Sequence, residues 1–169
     1  MEIRAATIPD AYGIAEVQVA AWKAAYRGLM PDSVLDGLSV PKREEMWRRI
    51  VAEQKFQLLV AEHDGGIIGF VDFGTCRDSG ADPRLTGEIL AIYVDPNRWH
   101  AGIGRGLLGA ALSGLKLAGF NEATLWVLDS NSRARVFYER AGFSSDGATK
   151  SEIIGDNAKI QEVRYRRPL

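Results

Sequence analysis

Cysteine is almost absent from this chain of 169 residues: Cys76 stands alone, so no internal disulfide can form. Histidine is nearly as scarce, and His63 and His100 stand too far apart in sequence to suggest a ligand pair, which argues against structural zinc. Net charge is missing as well. With 21 basic side chains against 22 acidic ones the formal value is −1, so no global attraction to nucleic acid or to an anionic membrane is expected. No run approaches the ~20 apolar residues of a membrane span, and Met1-Glu2-Ile3-Arg4 carries no apolar leader, so a soluble, cytoplasmic protein is expected. Repeats, low-complexity tracts and linkers are lacking too, which leaves one domain over residues 1–169 as the expectation. Cys76 follows the apolar run 70–75 without a neighbouring histidine and reads as a buried or loop thiol, not a nucleophile.

What is present is enough apolar residue, 46%, to bury a sizeable core, in patterns that change along the chain. After a short strand at residues 2–6, Thr7 and Asp10 stand as N-cap and reciprocal partner of a helix. Its stripe of Ile14, Val17, Ala21, Trp22 and Ala25 is interrupted only by Gln18. Ser39 before Pro41 opens another helix, with Met46, Trp47, Ile50 and Val51 turned inward. Residues 56–62 and 67–75 then form two strand-length runs around Asp64-Gly65-Gly66, which predicts a hairpin. A Gly, Asp, Ser and Pro-rich loop follows at 78–87, before a third run at 88–94 that Asp95-Pro96 ends. An amphipathic helix through Leu107, Leu108, Ala111, Leu112 and Leu115 closes at Gly119, and residues 123–128 are again a strand; strand, helix, strand implies a parallel crossover. A last helix at 132–141 and a strand pair around 151–154 and 161–166 complete a mixed sheet.

The segment most informative about chemistry runs from Ile92-Tyr93-Val94 through Trp99-His100-Ala101-Gly102-Ile103-Gly104-Arg105 into the amphipathic helix. Its physics suits a diphosphate: glycines at 102 and 104 remove side chains where a phosphate must approach the backbone, and the free amides of the helix start point at the anion. Arg98, His100 and Arg105 add positive charge; the plainer reading is a glycine turn that merely begins a helix. Gly104-Arg105-Gly106-Leu107-Leu108-Gly109 also fits the dinucleotide fingerprint, with Asp129 twenty residues on. That fingerprint needs its first glycine directly after the strand, however, and here Pro96 to Gly102 intervene. Too little chain remains after Asp129 for the further parallel units.

Together with Asn131-Ser132-Arg133-Ala134 and Phe137-Tyr138-Glu139-Arg140-Ala141-Gly142-Phe143, the glycine loop resembles the two signature motifs of the Gcn5-related N-acetyltransferase (GNAT) superfamily. Trp22, Tyr26-Arg27-Gly28 and Pro31 are similar to bacterial members. One departure stands out: Trp99 occupies the position where the superfamily usually has Gln or Arg, with Arg98 beside it as a substitute. The resemblance implies an α+β, three-layer fold, a mixed and mostly antiparallel sheet with helices on both faces, and acetyl-CoA as cofactor. By it, Ile92, Tyr93 and Val94 lie along the pantetheine, His100, Ala101, Gly102, Ile103, Gly104 and Arg105 cradle the pyrophosphate, and Asn131 reaches the pantetheine. Glu88, eleven residues before Trp99, is placed where many members carry a general base acting through water; otherwise it is a solvated strand-end carboxylate. Tyr138 would protonate the departing thiolate, its alternative being a core aromatic, and the Ile92 amide would hold the oxyanion. Asp72 and Asp129 are weaker candidates for steering a cationic amine, since acids at strand ends are usually solvated, and Arg164, Arg166 and Arg167 read as a solvated face. The expected activity is direct acetyl transfer to an amine of a small molecule or peptide, without metal, nucleic acid or membrane, by a monomer or homodimer. A CoA-binding regulatory or sensor module is the alternative.

Overall fold

The sheet is organised by the turn at Asp64 and Gly65, both in the left-handed region at φ 51° and 77°, which folds β2 (Gln57–His63) back on β3 (Gly66–Thr75) as the sequence predicts. The structure, a computed structural model, describes residues 1–155 and 157–169. Strands β1 (Glu2–Ala5), β4 (Thr86–Val94), β5 (Glu122–Leu128), β6 (Ser144–Ile154) and β7 (Ala158–Pro168) complete a seven-stranded sheet in the order β1-β2-β3-β4-β5-β7-β6. Every neighbouring pair is antiparallel except β4 with β5, the predicted crossover.

Among the described residues five α-helices flank the sheet: α1 (Ala11–Tyr26), α2 (Asp32–Asp36), α3 (Val40–Glu53), α4 (Ile103–Leu117) and α5 (Ser132–Arg140). The crossover helix α4 packs Ile103, Leu107, Leu108, Ala111 and Leu115 with Val71, Phe73, Ile89, Leu125 and Tyr165 of the sheet, and Phe137 and Tyr138 of α5 join this layer. On the opposite face, Ala11, Ile14, Ala15 and Val17 of α1 and Trp47 of α3 pack on Leu58, Val60 and Phe70. Gln18, the one polar residue in the α1 stripe, is buried and accepts a hydrogen bond from Trp47 Nε1 at 2.9 Å. It therefore fixes α3 to α1 without leaving an unpaired amide oxygen in the core.

The predicted capping pair is present, with Thr7 N–H and Oγ1 donating to Asp10 Oδ2 at 2.7 and 2.8 Å, although it closes a short 3-10 turn ahead of α1. Asp10 also receives both Nη groups of Arg4, which holds its carboxyl down at about 2 and ties β1 to the start of α1. Two features depart from the sequence reading. Helix α2 was not foreseen, and β6 and β7 run well beyond the expected 151–154 and 161–166. Half of β6 alternates Ser, Lys and Glu with little apolar content, so pairing to β7, and not burial, holds it.

Candidate active site

Parallel pairing between β4 and β5 runs from Thr86↔Glu122 to Ile89↔Leu125 and then stops, while β5 continues against β7 to Leu128↔Glu162. The edge of β4 beyond Ile89 is consequently unpaired on one side, and the two strands bound a cleft. A bulge sharpens the divergence: Phe73 opposes Ile89 and Asp72 opposes Ala91, which leaves Leu90 as the extra residue of β4. Asp95 N–H donates to Ile68 on β3, and strand alternation then turns the main-chain groups of Ile92 and Val94 away from β3, into the cleft. Tyr93, between them, sends its main-chain groups to β3 and its ring to the α1 face, with Phe70, Trp22 and Tyr26 around it.

The glycine loop lies at the end of this edge. The first intrahelical bond of α4 is Gly106 N–H to Gly102 C=O, so the amides of Ile103, Gly104 and Arg105 are orphan donors at a helix N-terminus. Gly102 has φ 82° and His100 has φ 66°, so the chain needs left-handed backbone just before the helix; Gly104 is already helical. His100, Ala101, Gly102 and Arg105 are exposed around these amides. Gly106 and Gly109 lie inside α4, so the second and third glycines of the dinucleotide fingerprint form no turn here.

Trp99, the departure from the expected motif, does not point at the amides. Its Nε1 donates to Val94 C=O at 3.0 Å, and the Arg133 guanidinium stacks on its ring 3.4 Å from the centroid. Arg98, the sequence's substitute for it, stands 3.9 Å from Asp95. Nothing in the sequence signalled the Arg133 stack, because its partners meet only across the cleft. Asn131 is buried and spends Oδ1 on capping α5, accepting from Ala134 N–H at 3.1 Å.

Tyr138, near the end of α5, is packed against Phe137 and Phe143. Burial pushes its phenol well above the usual tyrosine value, with the hydroxyl of Tyr26 adding to the effect. Tyr93 is raised in the same way and also feels Tyr138, so three protonated phenols, Tyr26, Tyr93 and Tyr138, gather where β4 and β5 part.

On the α1 face of β4, Glu88 is not solvated; 2% of it is exposed, and it is clasped by Arg77. The Arg77 main-chain N–H and Nε donate to Oε2 at 2.9 and 3.1 Å, and Nη2 donates to Oε1 at 2.7 Å. Asp72 is not at a strand end. It lies inside β3 opposite Ala91, is 7% exposed, and its Oδ1 is buried without a hydrogen-bond partner. Burial, with Glu88 adding and Arg77 opposing, pushes its carboxyl up to about 7. Asp129 is elsewhere, paired with Arg135 at 2.7 Å. The carboxy-terminal arginines are also engaged: Arg164 with Asp78 and Asp146, Arg166 with Glu122, and Arg167 with the Ala141 carbonyl, so they form no free basic patch. Cys76 is buried under the Thr124 hydroxyl, and among the described residues no cluster of His, Cys, Asp and Glu suits a metal. No described helix is long and apolar enough to cross a membrane.

Comparison with known proteins matches this arrangement. A probable N-acetyltransferase of Mycobacterium tuberculosis is 31% identical over 98% of this chain and 92% of its own length. A spermidine N(1)-acetyltransferase of Thermoplasma acidophilum is 28% identical over 91% of this chain and 94% of its own. Among solved structures, the PaiA N-acetyltransferase from Thermoplasma acidophilum in complex with coenzyme A superposes with a TM-score of 0.74 at 25% identity, covering 99% of this chain and 98% of that one. The model of the acetyltransferase (GNAT) family matches residues 19–143, a stretch that holds the divergent strands, the glycine loop and Tyr138, and the chain belongs to that family.

Proposed function

We propose that the protein transfers an acetyl group from acetyl-CoA to a primary amine of a small molecule or peptide, by direct attack of the amine nitrogen in a ternary complex. The observation that carries this reading is the unpaired edge of β4 lying in line with the orphan amides of α4. A strand edge accepts an extended amide-bearing arm as a neighbouring strand would, and a helix N-terminus accepts the diphosphate at the arm's end. These residues fit acetyl-CoA. The main-chain groups of Ile92 and Val94 would hold the pantetheine, with the Val94 carbonyl shared with Trp99, while Tyr93 between them would face the acceptor side with its ring. Residues 100–105 would hold the pyrophosphate, and Asn131 would border the thioester from the α5 side. When bound, acetyl-CoA supplies a thioester whose carbonyl carbon accepts the amine and whose sulfur leaves.

The chain's own residues supply the rest. The Ile92 N–H is a fixed donor for the developing oxyanion, a contribution of about 3 kcal/mol when one such donor is removed elsewhere. Tyr138 keeps its proton at neutral pH and can pass it to the leaving sulfur. Glu88 and Asp72 lie on the α1 face, from which the amine would enter. The acceptor pocket is bounded by α1 to α3, which carry no portable code for a substrate. The relative that acts on spermidine makes polyamines a natural first trial. An acceptor screen, with acetyl-CoA and a panel running from spermidine through amino acids to peptide N-termini, should show amine-dependent release of free thiol. Tight acetyl-CoA binding with no release across the whole panel would overturn the transferase reading in favour of a CoA sensor.

A further inference from the structure

We propose that Asp72, acting from β3, is the group that accepts the proton an acceptor ammonium must lose before its nitrogen can attack. The proposal rests on the transferase reading above. It starts from an imbalance among the buried polar atoms. Among the described residues, two buried side-chain atoms lack a partner, Asp72 Oδ1 and Trp22 Nε1. An unpaired buried carboxylate oxygen is costly, and folded proteins rarely leave one without a reason.

Its position supplies the reason. Asp72 pairs with Ala91 in the ladder, and its neighbour Val71 pairs with Ile92, the residue whose amide faces the cleft. Its side chain shares a sheet face with Leu58 of β2, Phe70 of its own strand, and Ala91 and Tyr93 of β4. The Asp72 main chain thus lies one strand spacing, ~4.8 Å, from that of β4, with its side chain on the α1 side of the sheet. An amine reaching the thioester from that side would come in over the face that holds Asp72, to which its proton would pass directly or through one water.

The groups facing Asp72 favour this role. Glu88 on β4 and Arg77 after β3 are the charged ones, β2 opposes it with Leu58, and Phe70 and Tyr93 on the same sheet face pack with Trp47 of α3 and Trp22 of α1. Glu88 is poorly placed to take a proton itself, because both its oxygens already accept from Arg77 and protonation would break a charge-assisted fork. That pair instead fixes two opposite charges next to Asp72, and burial then leaves the Asp72 carboxyl near neutrality, at about 7, where a base is most useful. Glu88 becomes a positioning residue. In the step itself an N–H bond of the ammonium breaks, its electron pair stays on nitrogen as the nucleophile, and the proton forms an O–H bond on Asp72. The carboxylic acid later returns that proton to solvent.

The test compares wild type, Asp72→Asn and Glu88→Gln, using whichever amine of the panel wild type acetylates fastest. With both substrates saturating, the wild-type kcat should fall on an acid limb with a midpoint near 7. Asp72→Asn should lower kcat about 10²-fold at neutral pH and lose that limb, with acetyl-CoA affinity unchanged. Glu88→Gln should keep a limb, displaced, because it alters the neighbourhood and not the base. An independent readout needs no turnover: in protein labelled with 13C at Asp carboxyls, one signal should titrate near neutrality and vanish in Asp72→Asn. If wild type works while Asp72→Asn stays within a few-fold of it with the limb intact, or if no Asp carboxyl titrates near neutrality, the proposal fails and the transferase reading stands. A wild type that acetylates nothing in the panel overturns both.

Discussion

A thiolate with an ordinary value of about 8.5 leaves poorly from a dry site, and a phenol beside it can share a proton as charge develops on sulfur. In the proposed reaction Tyr138 would meet that need, as a phenol that holds its proton throughout the neutral range. Tyr138→Phe deletes only the hydroxyl, so turnover should fall about 10²-fold while acetyl-CoA affinity, measured by calorimetry, stays within a few-fold. Wild-type turnover in the folded variant, with chemistry rate-limiting, would reduce Tyr138 to a packing aromatic beside Phe137 and Phe143. Tyr138 was legible in the sequence because it sits at a fixed place in a local motif. The surroundings of Glu88 and Asp72 were not. Arg77 reaches Glu88 only because β3 and β4 are joined by the loop that brings Cys76 opposite Thr86, and no spacing rule predicts that closure. Asp72 was read as a strand-end acid, whereas β3 continues to Thr75 and an added bulge turns its neighbours.

At the scale of elements, the glycine loop makes its own prediction. A side chain at Gly104 would meet Phe137 at 3.5 Å and Val94 at 3.8 Å, ordinary contact distances, and the residue is helical, so Gly104→Val should fold. The added methyls would stand over the orphan amides at the mouth of the cleft, and acetyl-CoA affinity should drop by about 10²-fold or more. Unchanged affinity in a folded Gly104→Val protein would move the diphosphate away from α4. The left-handed residues lie earlier in the loop, at His100 and Gly102, a detail that composition does not reveal. Elements with strong periodicity, α1, α3, α4 and the β2–β3 hairpin, were readable because one face of each must be buried. The short α2 and the full lengths of β6 and β7 were not: five residues are too few to show a helical period, β6 is mostly polar and exposed, and the ends of β7 are set by pairing with β5, far away in sequence.

For the molecule as a whole, acetyl-CoA should raise the melting temperature by mass action and NADH should not, which calorimetry can check; stabilisation by NADH alone would contradict the cleft described above. The same scan without ligand tests what the buried carboxylate does to stability. The folded state holds the Asp72 proton up to about 7 against 3.8 for the ordinary group, so between these values the native protein binds more protons than the unfolded chain. Stability contributed by the protonated form is therefore complete below 3.8 and is lost as pH rises towards 7. Above that the wild type carries an ionised, partnerless oxygen in its interior, at a cost of a few kcal/mol. Asp72→Asn has the same shape and no charge to bury. Its melting temperature should match wild type near pH 4 and exceed it by about 5 °C at pH 8, where a chain of this length shifts by 2–4 °C per kcal/mol. A variant that gains stability in the pH range where it loses turnover would show that the fold keeps Asp72 for the reaction and not for itself. Parallel melting curves of the two proteins across that range would mean that water or a neighbour already satisfies the carboxylate.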